Sequence, residues 1–548
     1  MASKAKVEDR TWPANCLLIL GVPNPWPAIR NARRMEARTL NRGAQIVYRW
    51  LLDCLTEHKL CGNPSQNLPT RVLDVGDEDQ EPHLYETRKE NAEYTALSHC
   101  WGDAEHIHLT TTRGTLEDRK RSIPLKALPK TFYDAVLLTR ALGIRYLWID
   151  SLCILQDDKD DWARESARMA QVYQNAALTI SADGAANSSE GLFLPHATKE
   201  VPLRLRQSAD SAPVYVRETT LASKVNVHAI GSTSDEPLRS RGWALQEWLL
   251  SARVAHFTKG EMLWECGKTQ QCECQLKFDL LGEREDATEW EGKGGYFKNG
   301  TLDWPTVVHE FSGRQLSQET DKLPALSGLA AFAKTGAERD YVAGLWRSEL
   351  PEALLWTVEP DKGSEPTPCT EYHAPSWSWA SIHGRVQLNL LASSDEPRLK
   401  CNVLDLVAPL ATSNPFGALE RSYIKVKGAV GKLTRAVITE ERDFSVGIEG
   451  GGGGPGADWY GYLTMDVKAS VAEVTSADEV PVLIIKREIW TSTARIYGIV
   501  LRKMVEVEET FTRAGHFKVT YEGDTSSSTW ESWFRDTFDV SERTITIF

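Results

Sequence analysis

Three short apolar runs constrain this chain more than any other feature: "YTALS" at 94–98, "RYLWID" at 145–150 and "ALTISA" at 177–182. Between the first two lies "LPKTFYDAVLLTRALG", where Phe132, Ala135, Val136, Thr139 and Leu142 recur at helical spacing. Pro129 stands near its start and Gly143 supplies a C-terminal stop. Between the second and third, "DWARESARMAQVYQNA" puts Trp162, Ser166, Met169, Val172, Tyr173 and Ala176 on one helical face. Strands alternating with helices predict an α/β fold: a parallel sheet with right-handed crossovers.

The rest of the chain is organised around that unit. At 548 residues it exceeds one ordinary core, which predicts two or three domains. Residues 30–62 read as helical, and "LPTRVLDVGDEDQEP" as a strand and polar turn, giving an N-terminal helical segment with a strand over 1–93. The α/β core spans 94–250, with "RSRGWALQEWLLSARVAHF" read as a short helix running into a strand. A Trp-rich extension follows over 251–395, with a helix at "DKLPALSGLAAFAK" and strand-like alternation of Val386, Leu388 and Leu390. Residues 396–548 are β-rich, with runs such as "RSYIKVKGAV", "VPVLIIK" and "RTITIF". A Gly-rich linker is expected within them at 447–456.

Composition excludes some roles. A net charge of −13 without a basic block argues against nucleic acid. No stretch approaches the ~20 apolar residues of a membrane span. The N-terminal apolar run is preceded by acids and matches a secretory signal poorly. Ten scattered cysteines fit a reduced chain, and the cytoplasm is the expected compartment. Nineteen tryptophans are either core filler or rings lining a cleft or interface.

Four groups of residues carry candidate chemistry. Asp150 ends a buried strand, at the edge where parallel sheets hold ligands. Asp157, Asp158, Asp160 and Asp161 stand where a helix begins, so capping accounts for them without a metal. Ser98, His99, Cys100, Trp101, Gly102 and Asp103 crowd the end of the first strand as a binding loop. His99 and Cys100 point to opposite faces of an extended chain, which argues against a thiol dyad, and Gly102 suits a positive φ. Arg241, Trp243 and Glu247 lie on the short helix, where Trp243 and Glu247 share a face. They serve either an internal ion pair or recognition of an anion or a partner carboxylate. Cys54, His58 and Cys61 share a helical stripe with zinc-type ligands. A structural zinc needs a fourth ligand, which Cys266, Cys272 or Cys274 would have to supply, and a plain buried stripe is the commoner outcome. No metal or cofactor is therefore assigned.

Taken in order, "YTALSHCWGD", "LPKTFYDAVLLTRALGIRYLWIDSLCILQDDKDDWARESARMAQVYQNAALTISA", "GLF" and "RGWALQEWLLSARVAHFTKGEMLWEC" resemble the fungal heterokaryon-incompatibility (HET) domain. The later blocks "DKLPALSGLAAFAK", "YVAGLW" and "APSWSWAS" resemble an extension that many such proteins carry. The resemblance implies fungal non-self recognition and programmed cell death signalling, through a protein partner or self-association. HET domains are in turn similar to TIR domains, implying a TIR-like, flavodoxin-like sheet. Some TIR domains cleave NAD with a glutamate after the third strand. The glutamate here is Glu190, without the usual Trp-Cys context. The alternative function is thus an enzyme, either a TIR-like NAD glycohydrolase with NAD as substrate or a recruited metabolic enzyme.

Overall fold

A computed structural model describes residues 17–20, 31–32, 37–62, 67–103, 109–197, 200–203, 214–218, 236–274, 277–279, 293–298, 300–334, 340–359, 365–389, 398–399, 401–434, 438–442, 445–451, 458–468, 470–471, 477, 479–490, 492–504, 507–523, 525, 530, 534–535 and 537–548. The chain divides into two compact units, residues 1–295 and 296–548. Residues 1–16, Leu390 and the middle of the glycine run (452–457) lie outside the described residues.

The first unit is built on a nine-stranded sheet. Its strands in chain order are β1 (Arg71–Asp74), β2 (His83–Glu86), β3 (Tyr94–Ser98), β4 (Tyr146–Ile149), β5 (Leu178–Ser181), β6 (Arg253–Phe257), β7 (Met262–Cys266), β8 (Thr269–Cys272) and β9 (Lys277–Asp279). Across the sheet the order is β9-β8-β7-β6-β5-β3-β4-β1-β2. Strands β4, β3, β5 and β6 run parallel, and antiparallel strands extend both sides. The parallel block has the order second-first-third-fourth, in which the chain reverses direction of travel at β3. A separate four-stranded sheet joins 17–20, 31–32, 200–203 and 214–218.

The apolar runs make strands because alternate side chains find an apolar layer on each face. In β4, Leu147 and Ile149 enter one core while Trp148 enters the other. Helices α1 (Leu40–Glu57) and α2 (Lys130–Ala141) cover the first face. Val47, Trp50, Leu51 and Cys54 form the buried stripe of α1, and the Thr39 hydroxyl caps it by accepting from the Arg42 amide. Helix α2 stops at Gly143, whose φ of +75° is the left-handed conformation expected there. On the second face lie α3 (Lys159–Ser166), α4 (Met169–Asn175) and α5 (Gly242–Leu250).

Three sequence expectations need correction. The N-terminal helix starts at Leu40, not near residue 30; Asn31–Ala32 is a strand. The segment 161–176 is two helices, interrupted at Ala167–Arg168, although the apolar phase runs on across the break. The glycine run is not a linker throughout: Ser445–Gly451 is a strand paired antiparallel to Asp458–Met465, with Gly450 opposite Trp459. Backbone amides and carbonyls form a ladder whatever the side chain, so glycine weakens a strand without forbidding it.

In the second unit five strands close into a ring: β10 (Tyr423–Thr434), β11 (Glu479–Ile489), β12 (Thr493–Lys503), β13 (Thr510–Glu522) and β14 (Ser541–Ile547). Each pairs with the next, and β14 returns to pair with β10. Phe517, Val519, Trp530, Phe534 and Phe538 fill its core. The tryptophans are largely filler: Trp148, Trp264, Trp304, Trp346, Trp356, Trp377, Trp379 and Trp530 are among the largest fully buried side chains. Among the described residues no helix is long and apolar enough to cross a membrane.

Candidate functional site

The parallel register fixes what meets at the carboxyl edge. Ser98 stands opposite Ser181, Leu97 opposite Ile149, and His256 opposite Ser181. The loop after β3, Asp150 after β4 and the segment after β5 therefore share one rim. That rim lies where the strand order reverses, the usual ligand crevice of a sheet of this kind.

Among the described residues, the polar groups here are largely engaged with one another. Asp150 accepts from the Ser151 amide at 2.7 Å and from Trp101 Nε1 at 2.9 Å, with His99 Nδ1 at 3.7 Å. Arg241 donates to the carbonyl of His99. Ser98, His99 and Cys100 are buried, Trp101 is half-buried, and Gly102 and Asp103 are exposed. Gly102 has a φ of +94°, as its place in the turn requires. Burial pushes the Cys100 thiol up to about 11, so it is no thiolate nucleophile.

Helix α5 carries Glu247 into the protein beneath β3. The Ser98 hydroxyl donates to its carboxyl group. The Tyr173 hydroxyl shares its single proton between this carboxyl group and the Leu97 carbonyl, 3.1 Å away. Burial pushes the Glu247 carboxyl up to about 7, and the negative charge of Asp150 adds to this, against the pull of Arg241 and the two hydroxyls. Trp243, one turn earlier, packs edge-on against Trp162 at 6.4 Å. Glu190 is exposed, and its carboxylate closes its own turn by accepting from the Ala186 amide at 3.0 Å.

Capping accounts for one of the four remaining acids, while Asp157 accepts from the Arg113 amide at 2.8 Å and Asp160 lies in the first turn. Asp158 caps α3, accepting from the amides of Asp160 and Asp161 at 3.1 Å. Asp161 goes further: it is buried, pairs with Arg71 and accepts from the Leu155 amide at 2.9 Å.

Sequence reasoning missed a buried charged network beside the rim. His256 Nδ1 lies 2.8 Å from Asp183, its Nε2 lies 3.7 Å from Glu265, and Trp248 Nε1 donates to Glu265 at 2.6 Å. Burial raises Glu265, yet His256 and Lys293 overcome it and hold the carboxyl at about 2. The available signal was a lone histidine inside the apolar run "RVAHF", followed eight residues later by "WEC".

The cysteine stripe has gained a fourth member. Cys54, His58, Cys61 and Cys266 present ligand atoms all within 4.8 Å of one another, while Cys272 and Cys274 lie apart with Glu261.

The recess at the rim, lined by His99, Trp101, Leu109, Phe132, Ser151 and Ser188, has a volume of about 10 Å³. That is room for one water molecule, far short of a nucleotide. The family model "Heterokaryon incompatibility protein (HET)" matches residues 94–247, the block that holds this rim. The chain carries a HET domain. A curated relative, heterokaryon incompatibility protein 6, OR allele, of Neurospora crassa, is 32% identical over 89 residues. The similarity covers 15% of this chain and 13% of that relative, so the chain spans a small part of it. No solved structure matches the chain. Strands β3, β4 and β5 lie inside the HET domain, whereas β1, β2, β6 to β9 and α1 complete its sheet and core from outside the matched residues.

Proposed function

We propose that this is a heterokaryon-incompatibility-type protein, in which the HET domain acts in fungal non-self recognition and cell-death signalling by protein contact, with a partner or a second copy. The observation that carries the reading is the coincidence of the HET match with a rim whose carboxylates are engaged by the protein's own donors. Trp101 and Ser151 hold Asp150, and Glu190 is committed to its own turn. A surface of this sort suits contact better than turnover of a small molecule. The parallel order of β4-β3-β5-β6 is that of flavodoxin-like sheets and supports a TIR-like fold for the HET domain. The cytoplasm is the compartment this role requires.

The test is inducible expression of the full-length chain in a filamentous fungal host, scored by growth arrest and uptake of a dye excluded by living cells. Normal growth at confirmed accumulation of the protein would sink the reading. Incubating the purified chain with NAD distinguishes the enzymatic alternative: release of nicotinamide would replace contact by catalysis.

A further inference from the structure

We propose that Cys54, His58, Cys61 and Cys266 bind a structural zinc ion that fastens helix α1 to the β6–β7 hairpin of the HET-bearing sheet. The local backbone brings the ligands together. Cys54 and His58 are one turn apart at the end of α1, and the helix gives way at His58, with φ −102° and ψ 80°. A 3-10 turn over Lys59–Cys61 then swings Cys61 back toward the stripe. Cys266 arrives from the end of β7, where Gly267 sits with its absent side chain only 3.6 Å from Cys61 Sγ.

The donor set and its size fit the ion. Cys266 Sγ lies 3.3 Å from His58 Nδ1, and no ligand pair exceeds 4.8 Å. Tetrahedral zinc with bonds of about 2.3 Å to sulfur and about 2.0 Å to nitrogen sets its ligands roughly 3.5–3.8 Å apart, a contraction of about 1 Å at most. Three cysteines and a histidine form a closed, soft set, with three members buried and Cys61 half-buried. Such a set leaves no open position for substrate and selects zinc over hard cations.

A second, independent observation points the same way. Arg253 on β6 is 1% exposed, and a guanidinium stays charged when buried. Among the described residues no carboxylate pairs with it. Its Nε lies 3.3 Å from Cys54 Sγ, another nitrogen donates to the carbonyls of Cys61 and Gly62, and Nη1 meets no acceptor. Three neutral thiols leave this cation unbalanced. Three thiolates around one Zn²⁺ carry one net negative charge, which Arg253 neutralises. The Thr269 amide adds an N–H···S bond to Cys266 at 3.4 Å, the kind of outer contact that steadies a bound thiolate. Binding forms three Zn–S bonds and one Zn–N bond, His58 giving the lone pair of its Nδ1, and releases one proton from each thiol that loses it.

The test uses the full-length chain, purified without a polyhistidine tag from zinc-supplemented medium and dialysed. Elemental mass spectrometry is expected to find about one zinc per chain. Cys266→Ser should lose it, and Cys272→Ser should keep it. After chelator treatment under reducing conditions, titration of the wild-type chain with Co²⁺ should develop the visible bands of a tetrahedral thiolate site. Zinc far below stoichiometry with no cobalt bands would overturn the proposal. So would stoichiometric iron or copper in place of zinc, or an intact mass showing a disulfide that joins two of the three cysteines. The overturning results are all read on the wild-type chain, so they depend neither on a variant folding nor on what the HET domain contacts.

Discussion

Replacing Glu247 by Gln tests the buried end of the rim. In the folded protein this carboxyl titrates at about 7, against an ordinary 4.5, because it is buried and faces Asp150. Between those values the unfolded chain has released its proton and the folded chain has kept it. Stability therefore falls as pH rises through this window and levels off above about pH 7. A shift from 4.5 to about 7 corresponds to about 3 kcal/mol at 1.36 kcal/mol per unit. Gln has the same shape, still accepts from Ser98 and never ionises, so the variant should lack that loss. Burial raises Glu236 to about 7 as well, so the variant keeps that part of the pH dependence. The two units need not unfold together, so a whole-chain melting point is a poor readout. Pulse proteolysis in urea, followed through peptides from residues 94–150, gives the stability of the first unit at about pH 5 and about pH 8. The variant is expected to gain about 2.5 kcal/mol on the wild type between the two, since part of the window lies below pH 5. Parallel pH curves for the two proteins would refute the reasoning.

Other outcomes follow from single contacts. Arg513 is buried against Asp466, with bonds of 2.9 Å from two nitrogens, and stacks 3.5 Å from the Trp356 ring. Arg513→Met strands that carboxylate and should cost about 3–5 kcal/mol in urea denaturation of the second unit, with Arg513→Met/Asp466→Leu costing less. Gly344 has a φ of +84°, and an added Cβ would stand 2.6 Å from Trp379 Nε1. Gly344→Ala should destabilise the same unit by roughly 2–4 kcal/mol, again read by urea denaturation. Trp101→Phe keeps a ring but removes the donor to Asp150. A loss of about 1–3 kcal/mol in the first unit is expected, and no loss would mean that water replaces the indole without cost.

Much of the α/β core was legible because its signals are local. The runs at 94–98, 146–149 and 178–181 and the helix ending before Gly143 follow from apolar periodicity and one glycine. From strand order alone, Ser98 and Asp150 could be placed on a common rim. The interruption at Ala167–Arg168 was hidden because apolar phase records which side is buried, not whether each backbone bond is made. The paired glycines were hidden for the converse reason, since a ladder uses atoms that every residue has. Contacts across long separations were out of reach. Ser98 meets Glu247 only because α5 crosses beneath β3, and Cys266 reaches His58 only because a hairpin returns to the end of α1. The tryptophans misled in another way: abundance says nothing of exposure, and the second unit buries Trp304, Trp346 and Trp379 around the carbonyl of Gly344.

The sheet extends past both bounds of the matched block, which bears on how such proteins are dissected. A fragment cut at 94 and 247 strips β6 from β5 and β1 from β4, and removes the Arg71 that neutralises Asp161. It would present two raw rows of amides and carbonyls, each able to recruit a strand from another molecule. Cells poisoned by that excerpt would be reporting stickiness created by the scissors, so the proposed role has to be judged on the uncut polypeptide.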